Sequence, residues 1–125
     1  MESQRHYCVV DSYNRKLTIT HEGTTVVSTT NAKVLKEVGK SVYDSVFYIP
    51  KEDLLIELFP ELGRNSHCPI KGDASYWVIK DKQLENYFAW SYEEALPMAK
   101  KVEGHVAFNP HYISFTSEPI YDPQI

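Results

Sequence analysis

The run His67-Cys68-Pro69-Ile70-Lys71-Gly72-Asp73-Ala74-Ser75-Tyr76-Trp77 decides how this chain is interpreted, because a turn-forming stretch leads directly into an aromatic strand. Residues 60–73 hold two prolines and two glycines and form the longest irregular stretch of the sequence. Long loops in compact domains often carry function. Residues 74–79 have apolar side chains on both faces, which predicts a strand that is buried on both sides or borders a cavity with one face.

Short strands separated by turn signals extend outward from this run. Residues 17–20 alternate apolar and polar side chains, residues 25–28 are rich in β-branched side chains, and Glu22-Gly23 lies between them, which predicts a hairpin. Residues 46–49 and 87–92 are typical of further strands. Residues 106–108 and 112–115 predict a last hairpin around Asn109-Pro110. The pattern predicts a mainly β barrel or sandwich-like domain with one or two short helices.

Two segments predict those helices. Asn31 is a good N-cap and Gly39 a good stop for a short helix over residues 31–39. Three apolar side chains between them fall on one helical face: Ala32, Leu35 and Val38. Farther along the chain, Pro97 can begin a single helical turn that Gly104 ends.

Composition excludes several classes of function. A chain of 125 residues fits one domain, and its net charge of -4, with basic residues scattered among acids, argues against nucleic-acid binding. No apolar run approaches the ~20 residues of a membrane span, and the first six residues lack the apolar stretch of a signal peptide. We therefore expect no membrane partner and a cytoplasmic location.

The two cysteines, Cys8 and Cys68, are too few and too far apart for a disulfide scaffold. Zinc sites usually show paired ligands at short spacing, whereas this sequence offers only the adjacent pair His67-Cys68, with His105 and His111 elsewhere. We therefore predict two free thiols, no metal site and no cofactor.

The polar candidates for a functional site are His67, Cys68 and Lys71. Cys68 could act as a nucleophile, but adjacent side chains of an extended segment point apart, so His67 is a poor base for it. Lys71 precedes Gly72, which permits a backbone turn that other residues resist, so Lys71 could be a cation held beside the aromatic strand. The alternatives are that Lys71 forms an ordinary ion pair at a surface turn, or a buried ion pair with Asp73 or another acid.

Aromatic side chains are the second set of candidates. Trp and Tyr fill cores by default, but their polar tips need partners, which makes these residues common in pocket walls. The aromatic candidates are Tyr48, Tyr76, Trp77, Trp90 and Tyr92.

Together these motifs resemble the domain-of-unknown-function family 427. The resemblance rests on residues 67–77, on Trp90-Ser91-Tyr92, on Val106-Ala107-Phe108 and on the Tyr-Ile-Pro-x-x-Asp stretch of residues 48–53. It covers about residues 15–116, so that residues 1–14 are predicted to be a lead-in and residues 117–125 a C-terminal tail. Within the lead-in, the apolar patch of residues 7–10 is either an edge strand or part of a tail. Ile70 stands where the family often has an aromatic residue, which alters a pocket wall.

The resemblance implies a small antiparallel two-sheet β-tent or open barrel, similar to methionine sulfoxide reductase B and the ligand-binding domain of cereblon. In such folds the working site lies in an aromatic-walled crevice between the sheets. Those relatives often bind zinc through two Cys-x-x-Cys pairs, which this chain lacks. Fold likeness does not transfer chemistry.

Three functional hypotheses follow. In the first, the domain binds a compact polar or anionic small molecule between the aromatic residues, with Lys71, His67 and Cys68 at the polar edge. In the second, an enzyme uses Cys68 or Lys71 at the same site. In the third, the chain is a protein-interaction module without a pocket.

Overall fold

The structure is a computed structural model, and it describes residues 5–80 and 84–120. Short antiparallel strands make up about half of this part of the chain. They are β1 Tyr7–Ser12, β2 Arg15–His21, β3 Thr24–Thr29, β4 Lys33–Val38, β5 Val46–Tyr48, β6 Leu58–Pro60, β7 Ser66–Cys68, β8 Gly72–Ile79, β9 Ala89–Ser91, β10 Val106–Phe108 and β11 Ser114–Pro119. The described residues also contain three short 3-10 helices: Lys51–Asp53, Pro97–Val102 and Pro110–Tyr112.

The strands form three antiparallel sheets, which confirms the mainly β prediction. The first sheet has the order β1-β4-β5, the second β10-β9-β8-β6 with β7 also paired to β8, and the third β11-β2-β3. No closed barrel is present among the described residues. The predicted number of two sheets was too low. The segments interpreted as a helix, as a lead-in and as a tail all contain strands in the structure, and these strands extend the sheets.

The helix predicted over residues 31–39 is wrong, since residues 33–38 form β4. This strand pairs along its whole length with β1, from Ser12 opposite Lys33 to Tyr7 opposite Val38, and its first half also pairs with β5. Hydrogen bonds to two neighbouring strands outweigh a local helical spacing that includes β-branched residues, which have only weak helix propensity. The helical turn predicted at Pro97 does form, as the 3-10 helix that begins there.

The last predicted hairpin is also wrong. β10 pairs with β9, whereas β11 pairs with β2, from Ser114 opposite Thr20 to Pro119 opposite Arg15. Residues 117–119 therefore belong to a strand rather than to a tail, and residues 7–12 of the predicted lead-in form β1. Residues 1–4 and 121–125 lie outside the described residues.

The hairpin predicted around Glu22-Gly23 is confirmed. β2 pairs with β3 from His21 opposite Thr24 to Leu17 opposite Thr29. Glu22 and Gly23 both have positive φ, 49° and 79°, as a tight two-residue hairpin turn requires.

Two hydrophobic cores lie on opposite faces of β8 and β10. Neighbouring residues of one strand alternate between them: Tyr48 and Ala107 belong to the first core, whereas Ile49 and Val106 belong to the second. Backbone hydrogen bonds of 2.8 Å in both directions between Ile49 and Val106 join the first sheet to the second. β8 also faces both cores, as its two apolar faces predicted, with Ala74 in the first core and Trp77 against the second.

No helix in the described residues is long and apolar enough to cross a membrane. The cytoplasmic location stays a prediction.

Candidate functional site

An apolar cleft of about 320 Å³ opens where the three sheets meet. Each sheet contributes part of its wall: Phe47 comes from β5, Trp90 and Phe108 from β9 and β10, and Phe115 from β11. The remaining lining residues are Ile19, Asp44, Ser45, Val46, Pro110 and Ile113. Its volume lies at the lower end of the range for small-molecule sites, which are usually apolar with a few polar groups.

Edge-to-face contacts hold the aromatic wall of the cleft in place. Phe47 meets Phe115 with ring centroids 5.4 Å apart, and Tyr13 contacts the other side of Phe47 at 4.7 Å. Phe115 remains about half exposed, so one wall of the cleft faces solvent. Asp44 and Ser45 are exposed and supply the polar groups of the lining.

Trp90 connects the cleft with the first core. Its indole Nε1 donates a hydrogen bond of 3.2 Å to the hydroxyl of Tyr48, and the two rings meet edge to face. Tyr48 is buried, so it positions Trp90 from behind rather than facing the cleft. Burial of Tyr48 raises the pKa of its hydroxyl far above the usual range, even though the hydrogen bond from Trp90 acts in the opposite direction.

A polar cluster around Glu37 forms a second candidate site. The Glu37 carboxylate accepts a hydrogen bond from Lys71 Nζ at 2.5 Å on one oxygen and contacts His6 Nε2 at 2.7 Å on the other. The side chains of Glu37 and Lys71 are only 14% and 15% exposed. Burial by itself raises the pKa of Glu37, but hydrogen bonds from His6 and Lys71 and their positive charges outweigh it, and the net pKa is lowered.

Lys71 therefore does not present a free cation. Besides pairing with Glu37, its ammonium lies 5.7 Å from the centre of the Tyr92 ring. Tyr92 is buried, and that burial raises the pKa of its hydroxyl far above the usual range. Of the alternatives considered for Lys71, the structure contains the buried ion pair with an acid and not the surface pair, because both side chains are mostly buried. The acid is Glu37 of β4 rather than Asp73.

His67 and Cys68 point to opposite sides of β7, as expected for neighbours in an extended segment. His67 is exposed and contacts the still more exposed Asp73 at 2.7 Å. Cys68 packs against the first core beside Ile70. His67 is thus turned away from both the cleft and the polar cluster.

Tyr76 and Trp77 also diverge, because they are neighbours on β8. Tyr76 packs on the side of the first core and stacks obliquely on Tyr87 at 4.7 Å, with the Arg64 guanidinium over both rings. Trp77 packs against the second core and donates a hydrogen bond of 2.9 Å to Ser91 Oγ. Of the eight predicted site residues, only Trp90 lines the cleft.

Both cysteines are free, as predicted. Cys8 is buried, and this burial raises the pKa of its thiol, with Glu37 and Cys68 acting in the same direction and Lys71 in the opposite one. Cys68 and Lys71 both lie in or beside the cluster around Glu37, whereas His67 does not. None of the three lines the aromatic cleft.

Sequence reasoning missed His6, Glu37, Phe47 and Phe115. Glu37 was assigned to the surface of a helix, and Phe115 to a terminal hairpin. One signal for Glu37 was present: in a strand, Glu37 shares a face with Leu35, which is buried. For Phe47 and Phe115 no local signal exists, because strands distant in sequence bring them together.

This architecture defines a class of protein: a small mainly β domain with clustered aromatic residues. The chain belongs to the family described as a domain of unknown function (DUF427), whose model matches residues 9–118. The match confirms the family resemblance. No curated protein matches the chain.

Proposed function

We propose that the domain binds a small molecule with a flat apolar body in the cleft between the three sheets. The carrying observation is the convergence of four aromatic side chains from all three sheets on one space of about 320 Å³. A space of this size accepts a single-ring compound. Aromatic walls favour ring-to-ring contacts, which add about 0.5–1.5 kcal/mol beyond the burial of apolar area.

The charge of the ligand follows from the cleft lining rather than from Lys71. The only charged side chain among the lining residues is Asp44, whereas Lys71 is paired with Glu37 in a different cluster. A carboxylate at the opening attracts a cationic or hydrogen-bond-donating group and repels an anion. We therefore propose a ligand with a cationic or neutral polar end. Of the polar or anionic ligand expected from the sequence, this proposal keeps the polar option and not the anionic one.

Three compounds that share one ring test this proposal: benzylamine, benzyl alcohol and benzoate. We expect thermal stabilisation in the order amine, alcohol, benzoate, because only the polar end differs. Asp44→Asn should reduce the preference for the amine over the alcohol without abolishing binding of the alcohol.

Phe115→Ala should weaken binding of benzylamine at least about tenfold, which corresponds to about 1.4 kcal/mol of lost ring contact. Phe59→Ala is the matched control, since Phe59 is a partly exposed phenylalanine on β6 that lines a different depression. Isothermal titration with each variant measures the effect. Equal affinities of the two variants, or preferred binding of benzoate, would contradict the proposal.

A further inference from the structure

Three side chains with metal-binding atoms converge beside Lys71, outside the aromatic cleft. One ligand atom each of His6, Glu37 and Cys68 lies within 4.8 Å of the other two, and all three residues are partly buried. The residues come from the segment before β1, from β4 and from the end of β7. We infer that they form a binding site for a transition-metal ion of the Zn²⁺ type.

The geometry requires only small side-chain movements. In a tetrahedral zinc site, bonds of about 2.0–2.3 Å place ligand atoms roughly 3.3–3.8 Å apart. The present separations, from 2.7 Å between His6 and Glu37 to at most 4.8 Å within the cluster, bracket that range. The cluster must therefore open at one edge and close at another by about 1 Å, which side-chain rotation can supply.

The chemistry of the ligands selects the ion. An imidazole nitrogen, a thiolate sulfur and one carboxylate oxygen suit Zn²⁺ or Co²⁺, whereas Ca²⁺ and Mg²⁺ prefer oxygen ligands throughout. One thiolate and one carboxylate balance the two charges of the ion. Three protein ligands leave the fourth position to a water molecule.

Lys71 supports the site without being a ligand. Its ammonium holds one oxygen of Glu37, while the other oxygen, now in contact with His6, can turn to the metal. Such an outer partner fixes the orientation of a ligating carboxylate. Cys68 is fixed as well, because its backbone pairs with Gly72 across the β7–β8 hairpin.

Binding must release or move protons, because metal ligands are deprotonated. The Cys68 thiol loses its proton to solvent when sulfur bonds to the metal. A neutral His6 whose Nε2 bonds to the metal carries its proton on Nδ1, and a protonated His6 releases its second proton. The sequence predicted no metal site because it lacks pairs of ligands at short spacing. In the folded protein, three segments that are distant in sequence bring their ligand atoms together.

Cobalt titration of the reduced full-length protein tests the inference. We expect one Co²⁺ per chain, with an absorption band from thiolate-to-cobalt charge transfer, and displacement of the cobalt by one equivalent of Zn²⁺. Cys68→Ser should abolish the band, and His6→Gln should weaken binding at least about tenfold. His6→Gln lies outside the strands, so this variant tests the site even if a Glu37 variant fails to fold.

Matched controls separate this site from nonspecific binding to histidine or thiol groups. His67→Gln changes the exposed histidine beside Cys68, and Cys8→Ser changes the other thiol. Both should keep the charge-transfer band, since neither residue belongs to the three-ligand cluster. Affinity is compared only for His67→Gln, which should bind within about twofold of the unchanged protein, because the buried Cys8 interacts electrostatically with Glu37 and Cys68. Absence of the band, its persistence in Cys68→Ser, or equal weakening by His67→Gln and His6→Gln would overturn the inference.

Discussion

The Glu37 carboxylate lies inside the molecule because two side chains from other segments contact it. Lys71→Met removes the ammonium that pairs with this carboxylate and leaves the mostly buried Glu37 with His6 as its remaining partner. Breaking one partner of a buried ion pair costs about 3–5 kcal/mol when nothing replaces it. Because His6 remains, we expect a loss of at least about 2 kcal/mol in the free energy of unfolding, measured by urea denaturation.

Lys36→Met is the matched control. Lys36 lies beside Glu37 on β4, and it pairs with Asp11 at 3.2 Å in an exposed position. Exposed pairs contribute about 0–1 kcal/mol, so this variant should stay close to the unchanged protein. The double variant Lys71→Met with Glu37→Gln should recover part of the lost stability, since it removes the uncompensated charge. Equal stability of Lys71→Met and Lys36→Met would contradict this account.

For single residues, the sequence predicted those features that depend on adjacent positions in the chain. Alternation along an extended segment correctly separated His67 from Cys68, because the side-chain period of a strand is two residues. The partner of Lys71 could not be predicted, since Glu37 lies 34 residues earlier in the chain and no local pattern joins them. The sequence left a buried ion pair of Lys71 with an acid open as an alternative, but it could not single out Glu37 as the acid.

Gly72 allows the turn between β7 and β8 to approach another segment closely. Its φ is +114°, and a Cβ atom there would lie 3.1 Å from the backbone oxygen of Glu94. The adjacent Lys71 carbonyl accepts a hydrogen bond of 3.0 Å from the Leu96 amide. Gly72→Ala must therefore strain the backbone and push this contact apart.

We expect Gly72→Ala to lower the free energy of unfolding by about 2–4 kcal/mol, from strain at a glycine-only conformation plus the close contact. Gly63→Ala is the matched control, because Gly63 has φ +88° but nothing within 4 Å of its added Cβ. It should lose only about 1 kcal/mol, and denaturant unfolding measures both. Equal losses would show that the approach to Glu94 does not matter.

The element predicted wrongly in kind was β4. The segment from Asn31 to Gly39 has caps and spacing typical of a helix, but it also carries Val34 and Val38, which are compatible with a strand. Pairing with β1 on one side and β5 on the other decides between them. Short apolar segments are ambiguous for this reason, and tertiary pairing overrides weak local propensity.

β8 and β10 contribute side chains to both hydrophobic cores. Neither core can therefore unfold alone without disrupting these two strands. Trp90 packs against the first core and Trp77 against the second. Trp77→Phe leaves only Trp90 as a fluorescent reporter, and Trp90→Phe leaves only Trp77. In each variant we expect the fluorescence and far-ultraviolet circular dichroism midpoints in urea to coincide, as for a two-state domain.

The two variants are matched, because each removes one indole hydrogen bond, to Ser91 in one case and to Tyr48 in the other. The fluorescence and dichroism midpoints are compared within each variant, so a change in its stability relative to the unchanged protein does not affect the test. Separate fluorescence and dichroism transitions in either one would show that a core unfolds independently.

At the scale of the molecule, the sequence predicted the class of fold but not its assembly. Alternating and β-branched runs such as residues 17–20 and 25–28 indicated strands and one hairpin, both of which the structure contains. The number of sheets depends on which strand edges pair with each other. β11 pairs with β2, although the two strands are about ninety residues apart in sequence. The cleft could not be predicted in detail, because its walls exist only after those edges join.

The pairing of β11 with β2 also has a consequence for the order of events during protein synthesis. Arg15 to Thr20 are synthesised well before their partners, Ser114 to Pro119. One edge of the β2–β3 hairpin must therefore stay open while about ninety residues are added between its own turn and its final partner. An unpaired strand edge invites association with other chains, so the nascent domain is most exposed to aggregation until translation reaches Pro119.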